Sequence, residues 1–100
     1  MIDLGPIIGF DWDAGNSRKN VNKHGVTQME AEQVFFNKPL LLLEDAKHSL
    51  TEVRIHALGT TDAGRLLHAT CTLGDHGTKI RVISIRDMNR KERMIYEQAS

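Results

Sequence analysis

The residues best suited to chemistry are an arginine and a histidine that alternate with apolar residues in one short segment. In residues 52–58, Arg54 and His56 share one parity and the apolar residues share the other, which predicts a strand with both polar side chains on one face. His68 holds a similar position in residues 65–73. Because imidazole exchanges protons near neutral pH and guanidinium binds phosphate, such a face could cleave a phosphodiester. Spacing alone favours the alternative, in which the two histidines are ordinary strand surface.

Two more arginines bracket a further predicted strand, residues 79–86. Arg81 and Arg86 have opposite parity, so at most one of them faces the same way as Arg54, unless Arg86 lies beyond the strand end. Cleavage of RNA requires a base for the 2′-hydroxyl, an acid for the leaving 5′-oxygen and positive charge for the phosphorane. Histidine or lysine suits the two proton transfers, and arginine suits the phosphorane.

The run Lys23, His24 and Gly25 is a second candidate for proton transfer. Cationic residues in a last helical turn, followed by glycine, are typical of a helix C-terminus, and the pattern alone favours that interpretation. The two interpretations are compatible. A helix end that is fixed by Gly25 would hold His24 in place.

Several classes of site are excluded by the remaining pattern. The sequence has no Cys/His cluster with zinc spacing, no Walker loop and no dinucleotide-binding glycine motif, and its acidic residues are not grouped for a two-metal nuclease. Cys71 is the only cysteine, so no internal disulfide can form. The histidines are dispersed along the chain at His24, His48, His56, His68 and His76. We therefore predict chemistry that uses no metal and no cofactor.

Charge and hydropathy give expectations about partners. The formal net charge is zero, which suits a nucleic-acid partner less well than a basic chain would. The C-terminal half is nevertheless rich in arginine, at Arg54, Arg65, Arg81, Arg86, Arg90 and Arg93. The longest apolar run, residues 40–43, is far shorter than the roughly 20 residues that span a bilayer, and the N-terminus has no secretory signal pattern. These features predict a cytoplasmic protein with no membrane partner.

The N-terminal part predicts a short strand and two helices. The strand covers residues 7–12, and Asp13 is a plausible N-cap for a helix over residues 16–23. Thr27 and Glu30 have capping-box spacing and open the second helix. That helix is expected to bury Ala31, Val34 and Phe35. From the stop signal at Gly25, the capping box and Pro39, we expect the two helices to form a tight unit.

The remainder predicts strands and a closing helix. Four apolar or alternating segments are typical of an antiparallel meander, at residues 40–43, 52–58, 65–73 and 79–86, and the last three are joined by short connections that contain glycine, residues 59–64 and 74–78. Asp87 or Asn89 then caps a last helix, with Ile95 on its buried side. The sequence therefore predicts an α+β fold: a small antiparallel β-sheet with two N-terminal helices and one C-terminal helix, in a single domain over residues 1–100.

An ordered set of short motifs lies within the stretch from Phe10 to Glu97. Its members are Trp12-Asp13, Asn20, Lys23-His24-Gly25-Val26, Glu30-Ala31, Val34-Phe35, Glu52-Val53-Arg54, Gly59, Gly64-Arg65, residues 81–86, Glu92-Arg93 and Tyr96. In order and spacing this set resembles the BrnT family, ribonuclease toxins of type II toxin–antitoxin pairs. The resemblance implies a RelE-like fold and a metal-independent endoribonuclease that cleaves cellular RNA and inhibits translation. It also implies neutralisation by a cognate, BrnA-like antitoxin in a hetero-oligomer, with DNA contacted only through that antitoxin.

The resemblance also implies roles for individual residues. Catalytic roles fall on Lys23, His24, Arg54 and Arg81. Binding of RNA or phosphate falls on Arg86, Arg65 and His56, and no residue is implied as a metal ligand. Two alternatives stay open: a non-catalytic RNA- or protein-binding module, and a degenerate toxin that retains only the antitoxin interface. The second is suggested by Asn16, where the family often has lysine.

Overall fold

A computed structural model describes residues 4–48 and 52–99 of the chain. The first part contains strand β1 (Gly9–Phe10), helices α1 (Ala14–His24) and α2 (Gln28–Phe36), strand β2 (Leu41–Glu44) and a 3-10 turn (Ala46–His48). The second part contains strands β3 (Val53–Thr60), β4 (Leu66–Gly74) and β5 (Lys79–Asp87) and helix α3 (Arg90–Ala99). Within these residues no helix is both long and apolar enough to cross a membrane.

The five strands form one mixed sheet in the order β1-β5-β4-β3-β2. Strands β2 to β5 pair antiparallel, as the predicted meander requires, and short glycine-bearing connections join β3 to β4 and β4 to β5. Strand β1 runs parallel to β5, with Gly9 opposite Lys79 and Phe10 opposite Ile80, so the prediction of a purely antiparallel sheet is wrong. The physical reason is the long connection. Two helices and three strands separate β1 from β5 in the chain, so no tight hairpin fixes their relative direction.

The first helix lies along the outer edge of β5. Asn20 is 4% exposed, and its Oδ1 accepts the backbone N–H of Ile85 at 3.1 Å. This hydrogen bond satisfies a strand donor in the part of β5 that β1 does not reach. Helix α2 instead packs against β3 and β4, so the prediction that the two helices form a tight unit is wrong.

The second helix begins at the predicted capping box. Thr27 Oγ1 accepts the backbone N–H of Glu30 at 3.1 Å, and Glu30 Oε1 accepts the backbone N–H of Thr27 at 3.0 Å. Its buried side chains enter the core, as predicted for Ala31 and Val34, while Phe35 is partly buried. Gly59 of β3 permits this approach, because a Cβ there would lie 2.7 Å from Val34 Cγ1. The remaining core residues on the same side of the sheet are Ile55, Ala57, Leu67, Ala69, Cys71, Ile80, Val82 and Ile85.

The last helix is capped by Asn89, one of the two predicted caps. Asn89 Oδ1 accepts the backbone N–H of Glu92 at 2.8 Å, and Glu92 Oε1 accepts the backbone N–H of Asn89 at 2.9 Å. Tyr96 is buried, and its hydroxyl donates to the carbonyl oxygen of Pro39 at 2.6 Å. The prediction that Ile95 lies on the buried side is wrong, since it is 47% exposed. Successive helical residues point about 100° apart, so only one of the two can face inward, and the tyrosine also gains a hydrogen bond.

Candidate functional site

A β-bulge in β5 decides which side chains share a face of the sheet. Thr70 of β4 is opposite Ser84, whereas the next residue, Cys71, is opposite Val82, so Ile83 is an extra residue in β5. The extra residue reverses the alternation of the strand. Arg81 and Arg86 therefore face the same way within one strand, and the prediction that their opposite parity separates them is wrong.

The face opposite the core carries a polar cluster, which we call the open face. Cross-strand partners in antiparallel sheets point to the same side, with Cβ atoms about 5 Å apart. The register places Arg54, Thr72 and Arg81 in one row, and His68 beside Arg86 in another. The open face consists of Arg54, His56, His68, Thr70, Thr72, Arg81, Ser84 and Arg86. Four of the seven predicted site residues are thus brought together.

The arginine row is held by carboxylates at the hairpin end of the open face. Arg81 Nη2 donates to Asp11 Oδ2 at 2.8 Å, and its Nη1 donates to Glu52 Oε1 at 3.3 Å. The hydrogen bond to Asp11 raises the pKa of Arg81. Between the two arginines, the Thr72 hydroxyl is buried and has no hydrogen-bond partner among residues 4–48 and 52–99. Gly74 leaves room for the arrangement, because a Cβ there would lie 3.0 Å from Glu52 Oε2.

Two histidines form a hydrogen-bonded line across the next part of the open face. His56 Nε2 lies 3.0 Å from Asp45 Oδ2, and His56 Nδ1 lies 3.1 Å from His68 Nε2. His68 Nδ1 in turn lies 2.9 Å from Glu92 Oε2 and 2.7 Å from Arg86 Nη2. The guanidinium of Arg86 also donates to both carboxylate oxygens of Glu92, at 2.9 and 3.1 Å. The line therefore connects the segment after β2 with β3, β4 and α3, and it ends on a carboxylate at each side.

Burial and charge act against each other in this line. Burial lowers the pKa of His68, and Arg86 and His56 lower it further, whereas Glu92 raises it. Burial alone would raise the pKa of Glu92, but the hydrogen bonds from Arg86 and from the backbone of Asn89 bring it to about 2. Glu92 is therefore an anion at neutral pH. A proton added to the line goes to the histidines.

A groove borders the histidine line. Its volume is about 350 Å³, and His56, His68 and Glu92 contribute its polar part. The apolar lining comes from β2, β3 and α3 and includes Leu41, Leu43, Leu58 and Ile95. The exposed side chain of Ile95 therefore lies along this groove, although it is absent from the core.

Arg65 holds the end of α1 and lies away from the open face. Its Nη1 donates to the carbonyl of Gly25 at 2.8 Å, and its Nη2 donates to the carbonyl of His24 at 3.1 Å. A bidentate pair with Asp87, at 2.8 and 3.0 Å, and a 3.3 Å contact with Glu30 complete the set. Every guanidinium nitrogen thus donates within the chain. The predicted role of Arg65 in phosphate binding is untested.

Lys23 and His24 lie at the opposite end of the sheet from the arginine row. The carbonyl of His24 is fixed by Arg65, which pairs with Asp87 at the last position of β5. From Arg81 to Asp87 the sheet register covers five residues of β4, or about 17 Å. The sequence therefore groups four catalytic candidates that the structure divides into two pairs. The catalytic roles of Lys23 and His24 stay predictions.

Sequence reasoning missed the partners of the predicted residues. Asp45 lies in a connection and Glu92 lies on α3, so neither could be assigned to His56 or His68 without the register. A signal for the bulge is present, however. The apolar residues Val82 and Ile83 are adjacent, which marks a change of phase within the strand. The side chain of Asn16 lies outside what the structure describes.

Comparison with known proteins agrees with the fold and the ordered motifs. Residues 12–92 match the family described as the ribonuclease toxin, BrnT, of type II toxin-antitoxin systems. The fold is similar to the crystal structure of the Brucella abortus ribonuclease toxin BrnT, with a TM-score of 0.62 and 16% identity over 83% of this chain and 99% of that chain. No curated protein matches the sequence. Since the family match covers most of its length, this chain belongs to the BrnT family of ribonuclease toxins of type II toxin–antitoxin systems.

Proposed function

We propose that this chain is a metal-independent endoribonuclease whose active surface is the open face. In this proposal Arg54 and Arg81 bind the scissile phosphate and stabilise the phosphorane, and Arg86 stands at the other end of the same face. The observation that carries it is the bulge at Ile83, because it aligns the arginines of β3 and β5 beside two histidines. Positive charge and proton-exchanging groups on one sheet face meet the requirements of RNA cleavage without a metal.

The ion pairs of Arg81 can exchange for a phosphate at small cost. The side chains of Arg81, Asp11 and Glu52 are 38%, 45% and 37% exposed, so water screens their interactions. Ion pairs at such positions contribute little to stability. A phosphate offers the guanidinium two oxygens in a bidentate geometry, which is the stronger arrangement. The free carboxylates then return to water.

The Thr72 hydroxyl supports a phosphate in the same row. A buried hydroxyl without a hydrogen bond costs about 1–3 kcal/mol, and this one lies between Arg54 and Arg81. A phosphate oxygen held by the two arginines would be close enough to accept its proton once their side chains turn toward the ligand. Binding would thereby satisfy a donor that the described part of the chain leaves without a partner.

The proposed biological role follows from the family. Cleavage of cellular RNA would inhibit translation in the cytoplasm. A cognate antitoxin that binds DNA would neutralise the chain in a hetero-oligomer, and this chain would meet DNA only through that partner. Type II toxin–antitoxin membership supports an antitoxin partner in general.

The decisive experiment is cleavage of an oligoribonucleotide by the pure chain in EDTA. We expect products that end in a 2′,3′-cyclic phosphate and a 5′-hydroxyl, and no cleavage of the matching oligodeoxyribonucleotide, which lacks the attacking hydroxyl. Arg81→Ala should reduce the rate by about 10²–10³-fold, as loss of a transition-state donor does. Arg18→Ala is the matched control, since Arg18 is exposed on α1 and outside the open face.

Two results would refute the proposal. The first is cleavage that requires a divalent metal. The second is equal activity of the Arg81→Ala and Arg18→Ala variants. In the same assay His24→Ala should keep activity within tenfold of the native chain if the reaction is confined to the open face. A loss of about 10²–10⁴-fold would instead support the catalytic role that the resemblance implies for His24.

A further inference from the structure

The histidine line contains one nitrogen with two incompatible partners. His68 Nδ1 lies 2.7 Å from Arg86 Nη2, which can only donate, and 2.9 Å from Glu92 Oε2, which can only accept. A histidine nitrogen accepts a hydrogen bond when it is bare and donates one when it is protonated. The two contacts therefore belong to two different protonation states of the same arrangement.

In the state with neutral histidines every nitrogen has a partner. His56 Nε2 carries a proton and donates to Asp45, and His68 Nε2 carries a proton and donates to His56 Nδ1. His68 Nδ1 is then bare and accepts from Arg86 Nη2. This assignment puts no two protons in conflict, and the one pair of acceptors it leaves close together, His68 Nδ1 and Glu92 Oε2 at 2.9 Å, is bridged by the Arg86 guanidinium, which donates to both.

One added proton is also accommodated once the 2.7 Å contact between His68 Nδ1 and Arg86 Nη2 lengthens, since both nitrogens would then be donors. The proton binds His68 Nδ1, which now donates to Glu92 Oε2 in place of accepting from Arg86. A single proton is then shared between His68 Nε2 and His56 Nδ1 across 3.1 Å, and each end of the line donates to a carboxylate. A second added proton has no place, because two N–H groups would face each other across that distance.

We propose that Asp45, His56, His68 and Glu92 form a relay for one proton, and that His56 Nδ1 donates this proton to the leaving 5′-oxygen of the RNA. This inference rests on the proposed ribonuclease function and assigns its general acid. His56 is the catalytic residue, and His68 is a positioning residue that supplies and holds the proton.

The position of His56 fits this role better than that of any other described histidine. It follows Arg54 by two residues on the open face of β3, which places the two about 7 Å apart along the strand. Thr70 Oγ1 lies 3.2 Å from His56 Nδ1 on the same face, so an oxygen can already occupy a hydrogen-bonding position there. His56 is also the more exposed of the two histidines, at 32% against 13% for His68.

The proposed step conserves protons and electrons. The 2′-oxygen forms a bond to phosphorus as its proton passes to solvent water. The bond from phosphorus to the 5′-oxygen breaks, and that oxygen takes the proton from His56 Nδ1 with the electron pair of the broken bond. His68 keeps its proton on Nδ1, directed at Glu92, until solvent returns one proton and restores the shared state. The net reaction is transesterification to a cyclic phosphate and a 5′-hydroxyl.

The charged groups that face the relay come from every element packed against it. Asp45 lies between β2 and the 3-10 turn, Arg86 belongs to β5, and Glu92 belongs to α3. Each carboxylate meets one end of the line, and Arg86 neutralises Glu92 in both states. The two anions stabilise the protonated pair, while Arg86 stabilises the neutral pair.

The chemical test compares two leaving groups in the His56→Gln variant. The first substrate is an oligoribonucleotide with its natural 5′-oxygen, and the second carries sulfur at the bridging 5′-position. Thiols are far more acidic than alcohols, so the sulfur departs without a proton donor. We expect the rate to fall about 10²–10⁴-fold with oxygen and less than about tenfold with sulfur. Equal loss on both substrates would overturn the assignment of His56 as the acid.

The control and the positioning variant use the same two substrates. His76→Asn removes an exposed histidine from the β4–β5 turn and should leave both rates unchanged. His68→Gln keeps a donor for His56 Nδ1 but carries no transferable proton. Its rate with oxygen should fall, with a displaced pH profile, and the sulfur substrate should restore it. A pH profile identical to that of the native chain would exclude His68 from the relay.

Side-chain NMR of the native chain tests the relay without any RNA. We expect His56 and His68 to take up one proton per molecule as the pH falls, with Nδ1 of His68 passing from bare to protonated. Independent uptake of two protons, or no change at His68 Nδ1, would overturn the relay. If the native chain cleaves no RNA yet shows the single uptake, then the ribonuclease proposal fails while the proton-sharing pair stands.

Discussion

Replacement of Arg65 by alanine should mainly lower the stability of the fold and should affect the rate of RNA cleavage less. The side chain joins the end of α1 to the end of β5 through the carbonyls of His24 and Gly25 and the carboxylate of Asp87. In the variant the two carbonyls lose a charged donor at a helix C-terminus, where no intrahelical partner exists. The helix that carries Asn20 would then be held to the sheet at one fewer point.

The magnitude follows from these contacts. Each hydrogen bond from Arg65 to a carbonyl contributes about 1 kcal/mol net to the free energy of unfolding. The pair with Asp87 contributes about 1 kcal/mol at most, because Asp87 is 63% exposed. The 3.3 Å contact with Glu30 adds little. We therefore expect Arg65→Ala to lower the free energy of unfolding by about 3 kcal/mol. For a chain of this size, each kcal/mol lost lowers Tm by roughly 4–8 °C.

Urea unfolding followed by far-UV circular dichroism measures this loss. Arg65→Lys retains the charge but not the planar fork, so it should recover only part of the stability. Arg18→Ala should change the free energy of unfolding by less than about 0.5 kcal/mol, as exposed substitutions do. The reasoning is refuted if the free energy of unfolding of Arg65→Ala lies within about 1 kcal/mol of that of the native chain. Such a protein with greatly reduced RNA cleavage would support the phosphate-binding role implied by the resemblance.

Two further predictions concern acid and packing. Although burial raises the pKa of Glu92, its hydrogen bonds with Arg86 bring it from 4.5 to about 2, so the native chain binds fewer protons than the unfolded chain between these values. Stability should fall as pH drops through that range, and Glu92→Gln should flatten the fall in acid titrations of unfolding. Gly59→Ala would place a Cβ 2.7 Å from Val34 Cγ1 and 2.9 Å from its carbonyl oxygen, and should cost about 1–3 kcal/mol in urea unfolding. Gly9→Ala is the matched control, since nothing lies within 4 Å of its Cβ, and equal effects would contradict the packing argument.

Sequence patterns correctly predicted the features that depend only on residues close together in the chain. The capping box of Thr27 and Glu30 opens α2 as expected, because both of its hydrogen bonds lie within one turn. The alternation around Arg54 and His56 likewise identified a strand and its polar face, since period-two patterns reflect one-sided burial. These features require no knowledge of distant residues.

The predictions that failed depend on pairing between distant segments. A bulge at Ile83 exists only relative to β4, so parity counted along β5 alone gives the wrong face for Arg86. The direction of β1 depends on a partner about seventy residues later in the chain, with Gly9 opposite Lys79. The partners of the two histidines come from a connection and from α3. Such contacts are set by tertiary packing and leave little trace in a single sequence.

The parallel edge of the sheet also has a consequence for the order of folding. Asp11 pairs with Arg81 across a sequence separation of 70 residues, and the backbone N–H of Asp11 meets the carbonyl of Ile80 beside it. Contacts of such separation form late, because the loop between them must close first. While the chain emerges from the ribosome, the antiparallel strands and α2 can assemble before this edge. The arginine row is then among the last features to acquire its final geometry, so a nascent chain would not carry the complete open face until β1 has paired with β5.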